Sequence, residues 1–300
     1  MRYDNNFSTQ DKTAMQQHFY QAESTLQKGA LYVVATPIGN LSDLSLRALA
    51  VLKNADMIFA EDTRVTAKLL TAYGLHRPLF SIREHNERSV AEKIIQHIED
   101  GKIIAQVSDA GTPAVCDPGA KLVALVRNAG LPVYPIAGAC AAITALSAAG
   151  IESDNFYFGG FLPPKSNERQ NRLTELNQQT CAVIVYETPH RISGCLKDMF
   201  EIMPKRKITI ARELTKSFET FLCGTADELL GILSTDKNQA KGEMVLILHP
   251  AEKTQGTEIA LEKILNALID LPTKQAAQIA AQITDLGKKE LYEMLLKMKK

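Results

Sequence analysis

The sequence predicts an α/β protein built from strand–loop–helix units. Three features carry this reading. Short β-branched runs alternate with helical patterns from residue 31 onward, the arrangement expected of a parallel sheet. Glycine-bearing loops follow several of the strands, at residues 36–40, 108–119 and 137–142. A length of 300 residues suits two domains of ~150 residues each.

Residues 1–28 read as a polar extension, either unstructured or a lone surface helix, because Met15, Phe19 and Leu26 are too sparse to build a core. An N-terminal α/β domain then spans 29–152. Its first strand, 31–35, passes through Thr36-Pro37-Ile38-Gly39-Asn40 into a helix carrying Leu46, Leu49 and Leu52. Met57-Ile58-Phe59-Ala60 is a second strand, followed by Glu61-Asp62-Thr63-Arg64 and a helix through Leu69 and Leu70. A helix through Val90, Ile94, Ile95 and Ile98 leads to strand 103–107. The helical pattern 121–126, a strand at 133–136 and a small-residue helix to Gly150 complete the domain. A second α/β domain covers 153–251, with strands at 181–186, 208–211, 219–223 and 244–248. Its helices fall near 169–177, 192–202 and 226–233. After a polar linker, residues 258–300 form a helical tail with a turn at Asp285-Leu286-Gly287, shaped like a helix-turn-helix.

Composition narrows the function classes. With 45% hydrophobic residues the chain can bury real cores, which excludes a disordered protein. Lys+Arg and Asp+Glu balance at 34 each, so any nucleic-acid surface has to be local. The five cysteines, 116, 140, 181, 195 and 223, include no C-x-x-C pair. Reduced thiols in a cytoplasmic protein explain them better than disulfides or zinc. Residues 1–28 lack the apolar core of a secretory leader. The longest weakly polar run, 136–151, falls short of the ~20 apolar residues of a membrane span. A soluble protein is expected.

Motif chemistry points away from common cofactors. No G-x-G-x-x-G follows a strand and no G-x-x-x-x-G-K-[ST] occurs, so neither a dinucleotide fold nor a P-loop is signalled. The six histidines are scattered and no H-E-x-x-H is present, so no metal is expected. G-x-S-x-G is absent too.

What remains is the loop set. Ser108-Asp109-Ala110-Gly111-Thr112-Pro113-Ala114-Val115-Cys116-Asp117-Pro118-Gly119 is far longer than the ~2–6 residues usual between a strand and a helix. Such a loop is either a ligand loop at the carboxyl edge of the sheet, with Asp109, Thr112 and Asp117 supplying polar groups, or an ordinary turn-rich connection. The small residues 137–142 allow close backbone approach to a flat ligand, or equally serve tight helix–sheet packing.

Several of these segments carry a resemblance. Residues 31–41, Ala60-Glu61-Asp62-Thr63-Arg64, residues 108–119, Tyr186-Glu187-Thr188-Pro189-His190-Arg191 and Ala211-Arg212-Glu213-Leu214-Thr215-Lys216 together resemble the ribosomal RNA small subunit methyltransferase I family. The resemblance runs from about residue 30 to the C-terminus, and Arg83 stands where a histidine is expected. It implies two α/β domains of the tetrapyrrole methylase type, with S-adenosylmethionine in the cleft between them. It also implies methyl transfer to the ribose 2′-hydroxyl of a cytidine in the decoding region of small-subunit ribosomal RNA, by a cytoplasmic homodimer acting on the assembled subunit. Carried over by motif, the cofactor residues are Pro37, Asp109, Thr112, Ala114, Cys140, Ala141, Tyr186 and Gly242.

The implied chemistry needs alignment and a group to manage the hydroxyl proton or the forming alkoxide. Charged candidates on the motif segments are Glu61, Asp62, Arg64, Glu84, His85, Glu213 and Lys216. Arg64 and Lys216 are expected to hold phosphate or the oxyanion, and Glu213 or Glu61 to take the proton. For RNA, segment 204–216 has five cations against Glu213, net +4, and segment 286–300 has five lysines against two glutamates, net +3. Both are candidate phosphate contacts. Two alternatives compete: methylation of a small tetrapyrrole-like macrocycle, and a non-catalytic RNA-binding assembly factor that kept the fold.

Overall fold

The protein is described here by a computed structural model, covering residues 9–83, 87–251, 256–284 and 286–299. Glu84, His85 and Asp285, all singled out above, lie outside the described residues. The first sheet contains β1 (Ala30–Val34), β2 (Met57–Ala60), β3 (Leu79–Ser81), β4 (Ile103–Val107) and β5 (Val133–Ile136), in the order β3-β2-β4-β1-β5. Every pair in it is parallel. Strand β3 was not expected from sequence, since Leu79-Phe80-Ser81 is too short to show a pattern.

Helices cover both faces. On one, α2 (Leu46–Asn54) and α3 (Thr63–Ala72) pack through Ala48, Val51, Leu52 and Leu70 onto Tyr32, Val34, Ile58 and Ala105. On the other, α4 (Glu87–Glu99) and α5 (Ala120–Asn128) pack through Ile94, Ile98, Leu122 and Val126 onto Leu31, Phe59 and Ile104. Central β4 is buried at all five positions, as a strand covered on both faces has to be. From β1 the chain crosses to β2, and from β4 to β5, in opposite directions along the sheet. Strands β1 and β4 therefore flank the topological switch point, where ligands of open α/β sheets bind.

The polar extension is less free than expected. Helix α1 (Thr9–Ser24) docks on α2: Ala22 is buried, Lys53 pairs with Glu23 at 2.9 Å and sits 4.9 Å from the Phe19 ring centroid. Three apolar residues and one ion pair suffice once a groove exists to receive them.

The second sheet is mixed. It holds β6 (Phe156–Phe161), β7 (Ala182–Glu187), β8 (Ile208–Arg212), β9 (Thr220–Gly224) and β10 (Met244–Leu248), ordered β6-β7-β10-β8-β9. Only β6 and β7 pair in parallel. Residues 213–219, which join β8 to β9, are too few for a parallel crossover of a dozen or more residues. Helices α7 (Ser166–Asn177), α8 (Ile192–Ile202) and α9 (Ala226–Thr235) cover its outer face. The inner face receives α6 (Ala141–Ala148) of the first domain through Ala142 and Ala145 against Ile184, Ala211 and Val245. One small-residue helix thus joins the domains. The tail helices α10 (Gly256–Ala267), α11 (Thr273–Ile283) and α12 (Lys288–Met298) share a core of their own around Leu265, Ala276, Ala280 and Leu291. No helix among the described residues is long and apolar enough to cross a membrane.

The long loop after β4 is anchored at its far end. Buried Glu87 accepts the Gly119 and Lys121 N–H groups, both at 3.1 Å, placing a carboxylate at the start of α5, where the helix dipole favours it. Gly119 has φ +127°, and a Cβ there would lie 1.5 Å from Gln106 Nε2. Gly119→Ala should therefore cost about 2–4 kcal/mol through backbone strain and displacement of a buried side chain. Gly74→Ala, at φ +67° with nothing within 4 Å, should cost only about 1–2 kcal/mol. Urea denaturation of the two variants measures the difference.

Candidate functional site

The three loops converge at the switch point. Thr36 and Gly111 exchange backbone hydrogen bonds, Thr36 N–H to Gly111 O at 2.8 Å and Gly111 N–H to Thr36 O at 3.0 Å. The Thr36 hydroxyl donates to Ser108 O at 3.2 Å, and the Thr112 hydroxyl to Ala139 O at 2.9 Å. Ser45, the N-cap of α2, donates its hydroxyl to Ala137 O at 3.2 Å. Loops 36–40, 108–119 and 137–142 form one stitched wall. Within it Ala114 and Cys116 hold left-handed φ values of 66° and 65°, a conformation that costs ~1–3 kcal/mol per non-glycine residue and clusters at functional sites.

Between this wall and the second sheet opens a cavity of about 380 Å³, within the ~300–1,000 Å³ typical of small-molecule sites. Glu61, Asp109, Thr112, Cys140, Ala141 and Tyr186, all expected from sequence, line it. Asp117, a polar group of the same loop as Asp109, lines it too, as do Glu243 and Met244, which follow Gly242 into the last strand. Phe161 also lines it and was not foreseen, because an aromatic run at a domain start reads as core.

Carboxylates dominate the cavity. Its lining contains Glu61, Asp109, Asp117, Glu187 and Glu243 and, among the described residues, no lysine, arginine or histidine. Asp109 accepts the Asp62 N–H at 3.0 Å and gives its own N–H to Glu61. Burial, then the charges of Asp117 and Asp109, push the Glu61 carboxyl above its ordinary range, against the pull of the Asp109 N–H and Arg83. Burial and Asp109 raise Asp117 too, opposed by a hydrogen bond with Ser108. Tyr186 accepts the Ala142 N–H at 3.2 Å and meets the Phe158 and Phe161 rings edge-on at 5.1 and 5.3 Å. Burial drives its phenol pKa upward, so the hydroxyl stays neutral.

A second cavity, of about 320 Å³, lies beside the first on the N-terminal domain. Pro37, Leu41, Val65, Lys68 and Leu69 line it. Among the described residues, Asp109 alone borders both cavities. Pro37, expected at the cofactor, therefore faces the neighbouring space.

Other expected residues stand apart from both cavities. Ala114 is in the loop without lining either cavity. Gly242 packs against the Glu213 carboxyl, leaving no room for a Cβ. Arg64 is bidentate to Asp62, as close as 2.5 Å, with its side chain 83% exposed. Glu213 accepts from Lys216 Nζ at 2.9 Å and from the Glu243 N–H at 3.0 Å. Lys216 also reaches Glu243 at 2.8 Å. The lysine pulls the Glu213 pKa down, which makes it a poor proton acceptor.

The basic segment 204–216 needs a correction. Arg206 is buried and donates to His249 O at 2.8 Å and to Leu176 O and Asn177 O at 3.1 and 3.0 Å. Arg212, also buried, donates to Lys241 O and Phe218 O. These cations satisfy backbone carbonyls inside the domain; Lys205 and Lys207 are the exposed ones.

The fold and its cleft define a class. Residues 30–230 match the family described as Tetrapyrrole (Corrin/Porphyrin) Methylases, and residues 258–299 match the RsmI C-terminal HTH domain. The structure resembles a cobalamin biosynthetic enzyme, cobalt precorrin-4 methyltransferase, with a TM-score of 0.56 and 15% identity over 75% of this chain and 98% of that one. It also resembles uroporphyrin-III C-methyltransferase from Thermus thermophilus, complexed with S-adenosyl homocysteine, with a TM-score of 0.51 and 16% identity over 73% and 97%. At the sequence level, Ribosomal RNA small subunit methyltransferase I of Neisseria meningitidis serogroup B is 55% identical over 95% of this chain and 99% of that protein. The protein of the same name from Escherichia coli O157:H7 is 44% identical over 90% and 95%. The chain belongs to the ribosomal RNA small subunit methyltransferase I family.

The raised carboxyls make a stability prediction. The folded protein disfavours ionised Glu61 and Asp117. Their contribution to stability is thus full below the ordinary values, 4.5 and 3.8, and is lost as pH rises through the raised ones. Glu61→Gln and Asp117→Asn should each raise Tm at pH 7 and leave it unchanged near about pH 3.5, as read by thermal melts across that range.

Proposed function

We propose that the protein transfers the methyl group of S-adenosylmethionine to the ribose 2′-hydroxyl of a cytidine in the decoding region of small-subunit ribosomal RNA. The observation that carries the donor assignment is the lining of the cavity between the domains, where Glu61, Asp109 and Asp117 stand beside the paired carboxylates Glu187 and Glu243 and, among the described residues, no lysine, arginine or histidine. Such a surface repels phosphate-bearing cofactors and attracts a cation. S-adenosylmethionine, when bound, supplies a methyl group made electrophilic by a sulfonium charge. Cys140 and Ala141 offer close backbone approach, and Tyr186 with Phe161 an aromatic wall for a flat base.

Asp109 marks where the two cavities meet, and the smaller one suits the acceptor nucleoside. Its apolar floor of Pro37, Val65 and Leu69 takes a base, and exposed Lys68 stands at its side for phosphate. Arg64 and Lys68, four residues apart, share one face of α3. Alignment of the hydroxyl at roughly 3 Å from the methyl carbon is the main demand. Of the two glutamates, Glu61 is the better acceptor for the hydroxyl proton: it lines the cavity with its pKa raised, whereas Glu213 is locked to Lys216. Lys216 packs its stem against Gly39 and serves the 36–40 loop as a brace. The helix-turn-helix tail, with lysines at 288, 289, 297 and 299, adds phosphate contacts on the assembled subunit. The resemblance adds cytoplasmic action and a homodimeric state. The macrocycle alternative leaves this tail without a use.

Ribose-methylation mapping of small subunits incubated with the protein and S-adenosylmethionine tests the reading: one new 2′-O-methylcytidine is expected, and an unmodified RNA would refute it. Glu61→Gln should lower kcat about a hundredfold. It should weaken S-adenosylmethionine about tenfold and S-adenosylhomocysteine, which lacks the sulfonium charge, distinctly less, by calorimetry. Removal of 258–300 should weaken binding to small subunits while donor affinity stays unchanged, measured by sedimentation and calorimetry respectively.

A further inference from the structure

A third cavity, of about 700 Å³, lies on the flank of the N-terminal domain, away from the donor site. Its walls come from two sources. His18, Gln21 and Gln27 belong to α1 and the segment after it, which precede the matched family region; Tyr32, Arg47 and Tyr134 belong to that region. The segment is pinned because the Tyr32 hydroxyl accepts the Gln27 N–H at 2.6 Å and donates to Gln27 O at 3.1 Å. Helix α1 is held by Glu23, which pairs with Lys53 at 2.9 Å and accepts from Asn54 at 2.8 Å. The pocket is therefore a built feature of this chain.

Its chemistry is opposite to that of the donor cavity. Among the described residues, no carboxylate lines it. Among the described residues, exposed Arg47 has no carboxylate within ion-pair distance. On the edge strand β5, Tyr134 lies over buried Tyr32 with centroids 5.3 Å apart and is itself 36% exposed, leaving an open aromatic face beside a free guanidinium. Aromatic faces and arginine are the groups on which unpaired nucleobases and their phosphates rest.

Position supplies the second argument. Leu41 borders the acceptor cavity and Arg47 borders this one, six residues and at most about 20 Å apart. Tyr134 lies two residues before the end of β5, which runs into the 137–142 loop of the donor wall. A strand whose target nucleoside occupies the acceptor cavity can lead over residues 41–45 into this pocket.

We propose that the α1 pocket holds an unpaired nucleotide of the substrate RNA flanking the target, its base on Tyr134 and its phosphate on Arg47, with Gln21 and His18 at the base edge. The proposal rests on the RNA-methylation reading above. The test compares Arg47→Ala, Tyr134→Leu and Tyr134→Phe with the wild type. The readouts are small-subunit methylation kinetics, anisotropy of a fluorescent single-stranded oligoribonucleotide, and calorimetry with S-adenosylhomocysteine as the check on fold. Arg47→Ala and Tyr134→Leu should each raise KM and weaken the oligonucleotide about tenfold, with kcat and homocysteine-analogue binding unchanged, and Tyr134→Phe should restore both. A 4-thiouridine oligonucleotide should crosslink to residues 18–47 or 134. Variants that bind donor product normally and keep wild-type KM and RNA affinity would overturn the pocket alone. Variants that change the oligomeric state and not RNA affinity would assign the surface to a second copy and overturn it too. A wild-type protein that neither methylates nor binds RNA would overturn both this proposal and the reading beneath it.

Discussion

The reciprocal backbone pair between Thr36 and Gly111 is the constraint on which the site depends. Parallel strands β1 and β4 carry their chains in opposite directions after their carboxyl ends, so the loops that leave them would diverge without a tie. Two short hydrogen bonds and the Thr36 hydroxyl on Ser108 O close that gap. Once it is closed, Thr112 can reach Ala139 and fasten the third loop. The left-handed conformations of Ala114 and Cys116 become tolerable because both ends of the 108–119 loop are held, one by Thr36 and the other by Glu87 beneath α5. Strain of that kind persists only where the surroundings over-determine it.

A second regularity is the sorting of charge. Cations that the sequence places near the cleft are already paired: Arg191 with the lining carboxylate Glu187, Lys216 with Glu213 and the lining carboxylate Glu243, Arg206 and Arg212 with backbone carbonyls. That leaves Glu61, Asp109 and Asp117 facing one another in a half-buried cavity with no cation among the described residues of its lining. The mutual repulsion and burial that raise Glu61 and Asp117 are a standing cost to the fold. A positive ligand relieves it, which is how an acidic cavity turns destabilisation into affinity.

Much of this was legible in the sequence, for physical reasons that differ by residue. Strands β1, β2 and β4 are largely apolar runs buried on both faces, and the loops after β1 and β4 are marked by glycine and proline. Asp109, Thr112, Cys140 and Ala141 could be placed at one edge for that reason alone. The motif glutamate Glu61 belongs there as well. Illegible were the features set by partners distant in sequence. Arg206 and Arg212 look like a phosphate-binding stretch until the carbonyls of residues 176, 177, 218, 241 and 249 are folded around them. The docking of α1 depends on Lys53 and Asn54, which sequence patterning assigns to an ordinary solvent face. The antiparallel pairing of β8 with β9 follows from the short link 213–219, whereas β10 pairs with β7 and β8 across long stretches of sequence. Arg64 and Glu213 were singled out by charge within motifs, and local pairing to Asp62 and Lys216 takes them out of the cavity lining.

An acidic donor cavity sets a problem for a substrate that is itself a polyanion. On the proposed reading, the carboxylates that welcome a sulfonium repel the RNA backbone, and the chain as a whole, with 34 cations against 34 anions, offers no compensating field. RNA must then be held at the periphery, by cations kept apart from the donor cavity. Exposed cations stand there: Arg47 on α2, Lys68 beside the smaller cavity, and lysines of α12. Several weak contacts around the rim accommodate a folded ribosomal surface better than one strong basic groove, because each adds affinity only when the RNA presents the matching shape. Their separation from Glu61 and Asp117 also keeps the raised carboxyls raised. A lysine moved into the cavity lining would strengthen RNA attraction locally, lower those pKa values and weaken the hold on a cationic donor. On the proposed reading, the division between an acidic interior and a dispersed basic rim is therefore what permits one cleft to bring a cation and a polyanion to the same aspartate.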